Sequence, residues 1–207
     1  MNRNRLLLLV LIIFHAVGLV SMFVPSLREL VLPLSSLNLL LAFIILGFSF
    51  KNHIISFLIF SCVAFLYGIS VEWIGVHTGL LFGDYSYGRN LGIKFDGIPL
   101  IIGINWGMLI LCSSSIVSYF KFPLFLEIIV TSLLMTAMDF LIEPVAVQSN
   151  YWSWATGEIP LYNYICWFLL SLPLAFIAKK LKLSKQNSLA VGLYLIFVCF
   201  FGILNFA

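Results

Sequence analysis

Two segments of the sequence carry the same arrangement of an acidic residue and an aromatic-Ser-aromatic triplet. Glu72 lies thirteen residues before Tyr-Ser-Tyr at 85–87, and Asp139 lies thirteen residues before Trp-Ser-Trp at 152–154. Carboxyl groups beside apolar segments are costly to keep, so two in matched settings indicate chemistry rather than packing. The chemistry that suits both residue types is acid catalysis through a cation, because a carboxyl group supplies the proton and aromatic faces stabilise positive charge.

The two segments also continue in the same way. An Ile-Pro-Leu sequence begins at Ile98 in the first segment and at Ile159 in the second. A tryptophan follows eight residues after each isoleucine, at Trp106 and Trp167. Each segment then consists of a helix, a loop and a second helix, which predicts an internal repeat of two units with the same orientation.

A third carboxyl group accompanies the pair. Glu143 is four residues after Asp139 and therefore lies on the same face of a helix, one turn further along. The three acids converge if the helices that carry them are neighbours, and a carboxyl group sheltered from water keeps its proton more readily. The alternative interpretation is that each acid reaches interfacial water or pairs with Arg89 or Lys94. We expect Glu72, Asp139 and Glu143 to be catalytic.

Aromatic and polar residues crowd the same end of these helices. An aromatic belt at the membrane interface accounts for some of them, but the enrichment on one side favours a substrate-binding role. Asn105 and Asn163 follow the repeated Ile-Pro-Leu and could either position water or pack in the core, and Asp84 is the most promising acid of the first loop. The predicted substrate-binding residues are Trp73, Asp84, Tyr85, Tyr87, Trp106, Trp152, Trp154, Asn163 and Trp167.

The composition identifies the elements that must position these residues. Of 207 residues, 62% are hydrophobic and 9% are charged, and the mean hydropathy is +1.13. A soluble domain carries about 25% charged residues, so the chain is predicted to be one integral membrane domain over 1–207, an all-α bundle. Apolar runs predict seven transmembrane helices, at about 6–24, 32–50, 54–76, 98–120, 122–143, 161–178 and 188–206.

The basic residues predict the orientation. With the N-terminus in the cytoplasm, the inner segments hold Arg3, Arg5, Lys51, Lys121, Lys179, Lys180, Lys182 and Lys185, whereas the outer segments hold Arg28, Arg89 and Lys94. This excess inside indicates an N-in, C-out topology. Both longer loops, about 77–97 and 144–160, then lie on the outer side. Whether the first of them re-enters the membrane is open at this point.

Several function classes are disfavoured by the motifs that the sequence lacks. It has no Walker loop, no H-E-x-x-H, no His-rich di-iron cluster and no aspartate-rich diphosphate motif, so neither a metal nor a cofactor is expected. There is no basic, aromatic-interleaved surface segment, so nucleic acid is not an expected partner. The four cysteines lie in apolar runs without metal-ligand spacing.

A known family shares the motifs of the central half of the chain. The motifs are Glu72-Trp73-Ile74-Gly75, Phe82-Gly83-Asp84-Tyr85-Ser86-Tyr87, Gly97-Ile98-Pro99, Met138-Asp139, Glu143-Pro144, Tyr151-Trp152-Ser153-Trp154, Gly157 to Pro160 and Asn163-Tyr164. With these motifs the chain resembles the membrane-embedded carotenoid biosynthesis proteins of the carotenoid 1,2-hydratase (bisanhydrobacterioruberin hydratase) type. The similarity covers about residues 66–168, and the first two helices and the last match only in being apolar.

The resemblance implies that water is added to a terminal C=C bond of an acyclic carotenoid, leaving a tertiary hydroxyl group. It implies no redox cofactor, a carotenoid in the bilayer and water as substrates, and a bacterial or archaeal cell membrane in which other carotenoid-pathway enzymes act. It assigns no role to the individual carboxyl groups. From the residues, Glu72 or Asp139 donates the proton, and Asp139 or Glu143 activates the water.

Two other functions remain open from the sequence. A small transporter would use the carboxyl groups as a proton relay, and it would need polar residues at mid-membrane depth. The best candidates for such residues are His15 and Asn38, which lie outside the repeated units. A different isoprenoid enzyme, such as a cyclase, would use the same acid and cation chemistry without a gain in mass.

Overall fold

The chain folds into a bundle of membrane-spanning helices. The computed structural model describes residues 3–206, and seven of its helical segments are long and apolar enough to cross a membrane, which confirms the predicted seven-span bundle. The spans are Arg3–Met22, Pro25–Phe48, Lys51–Thr78, Leu100–Val117, Leu124–Gln148, Leu161–Lys180 and Ser188–Asn205.

Eight α-helices and four short strands make up these spans and their connections. The helices are α1 (Arg3–Met22), α2 (Pro25–Val31), α3 (Ser35–Phe48), α4 (Ile54–Thr78), α5 (Leu100–Val117), α6 (Leu124–Gln148), α7 (Leu161–Lys180) and α8 (Ser188–Asn205). The strands are β1 (Tyr85–Tyr87), β2 (Lys94–Phe95), β3 (Ile98–Pro99) and β4 (Trp152–Trp154). A 3-10 turn at Leu32–Leu34 joins α2 to α3, so the two helices form one span.

Two prolines change the predicted helix boundaries. The sequence predicts that the fifth span ends at 143, before Pro144, but α6 continues to Gln148 with Pro144 inside it. Membrane helices tolerate proline because neighbouring groups satisfy the backbone that it leaves without a partner. At the second span, Pro25 occupies the first turn of α2, a position that suits proline, and the span begins about seven residues earlier than expected.

The bundle is organised around α5. Within its span 78% of the residues are buried, against 17–39% in the other six, and α5 contacts α3, α4, α6, α7 and α8. Its approach to α4 depends on Gly103, where a Cβ atom would lie 2.8 Å from the carbonyl oxygen of Phe65. Small residues permit such close helix packing in membranes, so α5 holds its side chains against those of α4.

The two aromatic-Ser-aromatic triplets pair with each other. Strand β1 is antiparallel to β4, with Tyr85 opposite Trp154 and Tyr87 opposite Trp152. The central serines of the two triplets lie opposite one another, as they would if a two-fold axis passed between them. The equivalent Trp106 stacks on Trp167, with ring centroids 4.3 Å apart and planes 10° apart. This relation fits the predicted repeat of two units with the same orientation.

The first long loop contains more structure than β1. After β1 the chain forms a second antiparallel pair, in which β2 and β3 align Lys94 with Pro99 and Phe95 with Ile98. This hairpin leads directly into α5. The loop therefore ties the end of α4, the β1–β4 pair and the beginning of α5 together.

Candidate functional site

A cavity lies at the end of the bundle where β1 and β4 pair. Its walls come from both strands, from α4, α5, α6 and α7, and from the loop before β1. Its volume of about 30 Å³ is enough for one or two water molecules. Nine predicted site residues line it, namely Glu72, Tyr85, Tyr87, Asp139, Glu143, Trp152, Trp154, Asn163 and Trp167.

The three predicted catalytic acids meet in this cavity. Glu72, Asp139 and Glu143 are 2%, 1% and 2% exposed. Within residues 3–206 none of the three forms an ion pair with a Lys, Arg or His side chain. The pairing with Lys94 that the sequence left open is not formed, since its ammonium group donates to the carbonyl oxygen of Tyr87 at 2.8 Å. The acids are buried together without a cation.

Glu72 accepts three hydrogen bonds from its own repeat unit. The hydroxyl groups of Tyr85 and Tyr87 both donate to its Oε2 at 2.6 Å, and Trp106 Nε1 donates to its Oε1 at 3.1 Å. Alternate residues of a strand point to the same side, so β1 presents both phenols to one oxygen. Gly68 lies one turn before Glu72, and a Cβ atom there would be 3.1 Å from the Trp106 ring, so the missing side chain makes room for the indole.

Glu143 has the matching environment in the second unit. Trp152 and Trp154 donate their indole N–H groups to its Oε2 at 2.9 and 3.0 Å, and the amide of Asn163 donates to its Oε1 at 3.1 Å. By spacing, Asp139 is the counterpart of Glu72, but by bonding the counterpart is Glu143. The two positions are one helical turn apart, so either can face the same strand.

Asp139 is the exception among the three acids. Its only side-chain hydrogen bond within the described residues comes from Asn163, whose Nδ2 donates to Oδ2 at 2.9 Å. The Asn163 amide therefore uses both of its hydrogens to connect Asp139 with Glu143. Two carboxyl groups with three donors each and one with a single donor share one cavity.

The tyrosines of β1 act as neutral donors. Burial raises the pKa of Tyr85 and of Tyr87 well above its usual value, and the nearby negative charge of Glu72 raises each further. Both phenols consequently keep their protons at neutral pH. They supply hydrogen bonds to Glu72 and ring edges and faces to the cavity.

Trp106 contacts the site through Glu72, whereas two other predicted residues lie elsewhere. Trp73 follows Glu72 by one residue and so points about 100° away around the helix. It is 40% exposed, donates to Asp96 Oδ2 at 2.7 Å and stacks on His77. Asp84 is exposed at the edge of β1, and its side chain does not line the cavity.

The cavity also has walls that were not among the predicted site residues. Phe82 is buried against Tyr85, Trp106 and Trp167 and has a φ angle of 66°. The internal repeat could have indicated Ile102 as a lining residue. Ile102 follows Ile98 by four residues, as Asn163 follows Ile159. The four additional lining residues are Phe82, Ile102, Asn105 and Ile142.

The arrangement suits proton transfer to an apolar molecule. It combines two carboxyl groups that accept three hydrogen bonds each, one that accepts a single hydrogen bond, room for water and aromatic walls. All of these lie at the end of membrane-spanning helices. Among the described residues, no set of three His, Cys, Asp or Glu side chains is arranged to hold a metal ion. The chemistry that these residues can supply themselves is acid and base catalysis.

Comparison with known proteins places the chain in a family. A sequence model of the family described as carotenoid biosynthesis protein matches residues 34–207. The match extends beyond the 66–168 expected from the motifs and includes most of the second span and all of the last one. No curated protein and no solved structure matches the chain. Because the match covers most of the sequence and includes every residue of the cavity, this integral membrane protein belongs to the carotenoid biosynthesis protein family.

Proposed function

We propose that the protein is a carotenoid hydratase, which adds water to the terminal C=C bond of an acyclic carotenoid end group. The observation that carries the proposal is the group of three buried carboxyl groups among aromatic rings in a water-sized cavity. Membership of a carotenoid biosynthesis family makes a long polyene the natural substrate class. Addition of water needs a proton, a stabilised cation and a base, and no redox cofactor.

Asp139 is the proton donor in this proposal. A carboxyl group that accepts several hydrogen bonds is stabilised as the anion, and one that accepts few is not. Glu72 and Glu143 each accept three, whereas Asp139 accepts one. Asp139 transfers its proton to the less substituted alkene carbon, so the positive charge develops on the tertiary carbon.

The aromatic walls stabilise this tertiary cation. Tyr85 and Trp154 face each other with centroids 5.2 Å apart, and Tyr87 and Trp152 are 6.0 Å apart. A desolvated ring contributes about 0.5–2 kcal/mol to a cation at its face. Since about 1.4 kcal/mol corresponds to tenfold in rate, two or three rings account for a large acceleration. The negative charge on Glu72 stabilises the same cation.

Glu143 completes the reaction as the base. It removes a proton from the water molecule whose oxygen bonds to the tertiary carbon, giving the alcohol. The proton then returns from Glu143 to Asp139, which restores the starting state. Both carboxyl groups bond to Asn163 and line the same cavity, so the return path is short. The net reaction is alkene plus water to tertiary alcohol.

The substrate requires more room than the closed cavity offers. About 30 Å³ holds water but not the branched end of a polyene. The loop at 79–84 covers the cavity with the side chain of Phe82, and its residues Gly79, Phe82 and Gly83 have positive φ angles. We propose that displacement of Phe82 admits the end group while the rest of the polyene stays in the lipid of a bacterial or archaeal cell membrane. Other carotenoid-pathway enzymes in that membrane would supply the substrate.

Product analysis tests the proposal directly. The full-length protein is expressed in cells that make lycopene, and the extracted carotenoids are analysed by mass spectrometry. A product heavier by one water, with oxygen from ¹⁸O-labelled water, is the expected result. Label from dioxygen identifies an oxygenase, and a product of unchanged mass identifies a cyclase. Either result, or unchanged lycopene, excludes hydration of this substrate.

Variants of the acids test the assigned roles. Asp139→Asn, Glu143→Gln and Glu72→Gln are each expected to lower turnover by about a hundredfold or more, as removal of a positioned acid or base does. Glu158→Gln is the control, because Glu158 is exposed on the loop after β4. Near-normal activity of Asp139→Asn at unchanged expression would exclude Asp139 as the proton donor.

A further inference from the structure

A second cavity lies at the opposite end of the bundle. It is an open cavity with a volume of about 390 Å³, and it lies where α5 and α7 end and where α6 and α8 begin. Its polar lining residues are Ser118, Lys121, Glu127, Lys179, Ser184, Lys185 and Gln186. None of these residues belongs to the candidate site or to the repeated units.

The one acid of this cavity is fully engaged by its neighbours. Glu127 is 5% exposed, and Lys179 Nζ lies 2.5 Å from its Oε2. The hydroxyl group of Ser184 donates to its Oε1 at 2.5 Å. Glu127 therefore neutralises Lys179. Lys121 and Lys185 form no ion pair within residues 3–206, so the cavity has a surplus of positive charge.

Lys185 is held in a position that favours an anion. Burial lowers its pKa, and its Nζ lies 5.4 Å from the centre of the Phe50 ring. A partly desolvated ammonium group lacks some of the water that would stabilise it, so an anion beside it is stabilising. No second acid of the described chain lies near this cavity. Every other Asp and Glu lies towards the end of the bundle with the β1–β4 pair or in the loops at that end.

The cavity lies beside the ends of four spans, where lipid headgroups are expected, and it has an apolar rim. Its residues flank Val117, Leu124, Lys180 and Ser188, the ends of four spans. Phe122 lines the cavity, and Phe125, in the first turn of α6, is 71% exposed. An anion with attached acyl chains would fit both surfaces, whereas a soluble phosphate would use only the lysines.

We propose that this cavity binds the phosphate group of an anionic phospholipid of the surrounding leaflet, with Lys121 and Lys185 as its ligands. The acyl chains then lie along the exposed apolar side of α6. Basic pockets between transmembrane helices recognise lipid phosphates through the same combination of charge and depth. The bound lipid would join the α5–α6 connection to the α7–α8 connection.

Lipid binding by purified variants tests the proposal. The full-length protein in a neutral detergent is titrated with short-chain phosphatidylglycerol, phosphatidylcholine or inorganic phosphate at constant ionic strength, and binding is followed by native mass spectrometry. The test variant is Lys121→Gln/Lys185→Gln. The matched control is Lys180→Gln/Lys182→Gln, which removes the same charge from residues outside the cavity. Lys121→Arg/Lys185→Arg keeps the charge and reports on folding.

We expect binding to depend both on the type of lipid and on the two lysines of the cavity. Phosphatidylglycerol binding should weaken by about tenfold or more in the test variant and by less than about twofold in the control and the arginine variant. Equal loss in test and control variants would show that only general surface charge matters. Equal binding of phosphatidylcholine, or full competition by inorganic phosphate, would also overturn the proposal, as would no binding to the unmodified protein.

Discussion

At the scale of single residues, Asn163 links the two acids of the second repeat unit. Both of its amide hydrogens are used, one on Asp139 at 2.9 Å and one on Glu143 at 3.1 Å. Its equivalent in the first unit is Ile102, which has no such capacity. The two units are therefore related in shape but differ in chemistry. The difference gives one unit the proton donor and the base that the proposed reaction needs.

Replacement of Asn163 should impair the reaction without removing an acid. Asn163→Ala is expected to lower turnover by up to about a hundredfold, because misplaced reacting groups cost that much. Asn163→Asp should be worse, since it replaces both donors with a fourth acidic group in the cavity. Turnover is measured in lycopene-making cells at matched protein levels. Asn205→Ala is the control, since that amide bonds the carbonyl oxygens of Leu141 and Phe201 away from the cavity. Unchanged activity of Asn163→Ala would remove Asn163 from the site.

The phenols of β1 lead to a prediction about alkaline pH. Since the pKa of Tyr85 and of Tyr87 is raised in the folded protein, the unfolded chain loses these protons first as pH rises. Their contribution to stability is complete below about pH 10 and falls above it. Phenolate absorbance of the detergent-solubilised protein should show that Tyr85→Phe/Tyr87→Phe has two fewer tyrosines that ionise only on unfolding than the unmodified protein has. Ionisation of both residues in the folded protein near pH 10, the usual range of a tyrosine, would contradict the buried bonds to Glu72.

At the scale of elements, the β1–β4 pair aligns the two units. The backbone N–H of Gly88 donates to Tyr151 at 2.8 Å, and that of Ala155 donates to Asp84 at 2.9 Å. Hydrogen-bonded pairs alternate along antiparallel strands, so the aromatic residues occupy the non-hydrogen-bonded positions, where side chains approach most closely. One ladder therefore sets the relative positions of the donors to Glu72 and to Glu143.

A side chain at Gly88 should disturb this ladder. A Cβ atom at Gly88 would lie 1.9 Å from the carbonyl oxygen of Asn150. Gly88→Ala is therefore expected to cost about 1–3 kcal/mol in stability and to lower activity, because β1 must shift relative to β4. Gly202→Ala is the matched control, since nothing lies within 4 Å of a Cβ atom there. Thermal unfolding in detergent and product yield measure the two effects. Equal behaviour of both variants would mean that the ladder does not position the site.

At the scale of the whole molecule, charge is divided between the two ends of the bundle. The end with the β1–β4 pair holds three of the four buried acids of the described residues, and the other end holds Glu127 and most of the lysines. Excess Lys and Arg marks the cytoplasmic side of membrane proteins. The candidate site is therefore expected to open towards the outer side, and the lysine-lined cavity towards the cytoplasm.

Cysteine labelling in intact cells tests this orientation. Thr156→Cys lies in the loop after β4, and Lys182→Cys lies between α7 and α8, and both positions are exposed. A membrane-impermeant maleimide should label Thr156→Cys in intact cells and Lys182→Cys only after the membrane is opened. The unmodified protein reports on labelling of its native cysteines. The reverse pattern would place the candidate site on the cytoplasmic side.

The sequence alone determined the features that depend on local interactions. Membrane helices satisfy their own backbone hydrogen bonds, and the bilayer sets their length, so hydropathy was sufficient for the seven spans. The equal spacing of Glu72 and Asp139 from their triplets indicated two related units. Because these units begin and end on the same sides of the membrane, the acids and rings were expected at one end, and the structure brings them there.

Only the tertiary structure decided which groups bond to one another. The sequence did not predict that the two triplets pair across a common centre, because strand pairing depends on contacts between distant segments. It matched Asp139 with Glu72, whereas the indoles of β4 bond to Glu143, one helical turn away. Spacing along a helix determines which side chains share a face. The hydrogen-bond partners of those side chains depend on how a distant strand packs over that face. That choice leaves Asp139 with a single hydrogen bond, the feature on which its proposed role as proton donor depends.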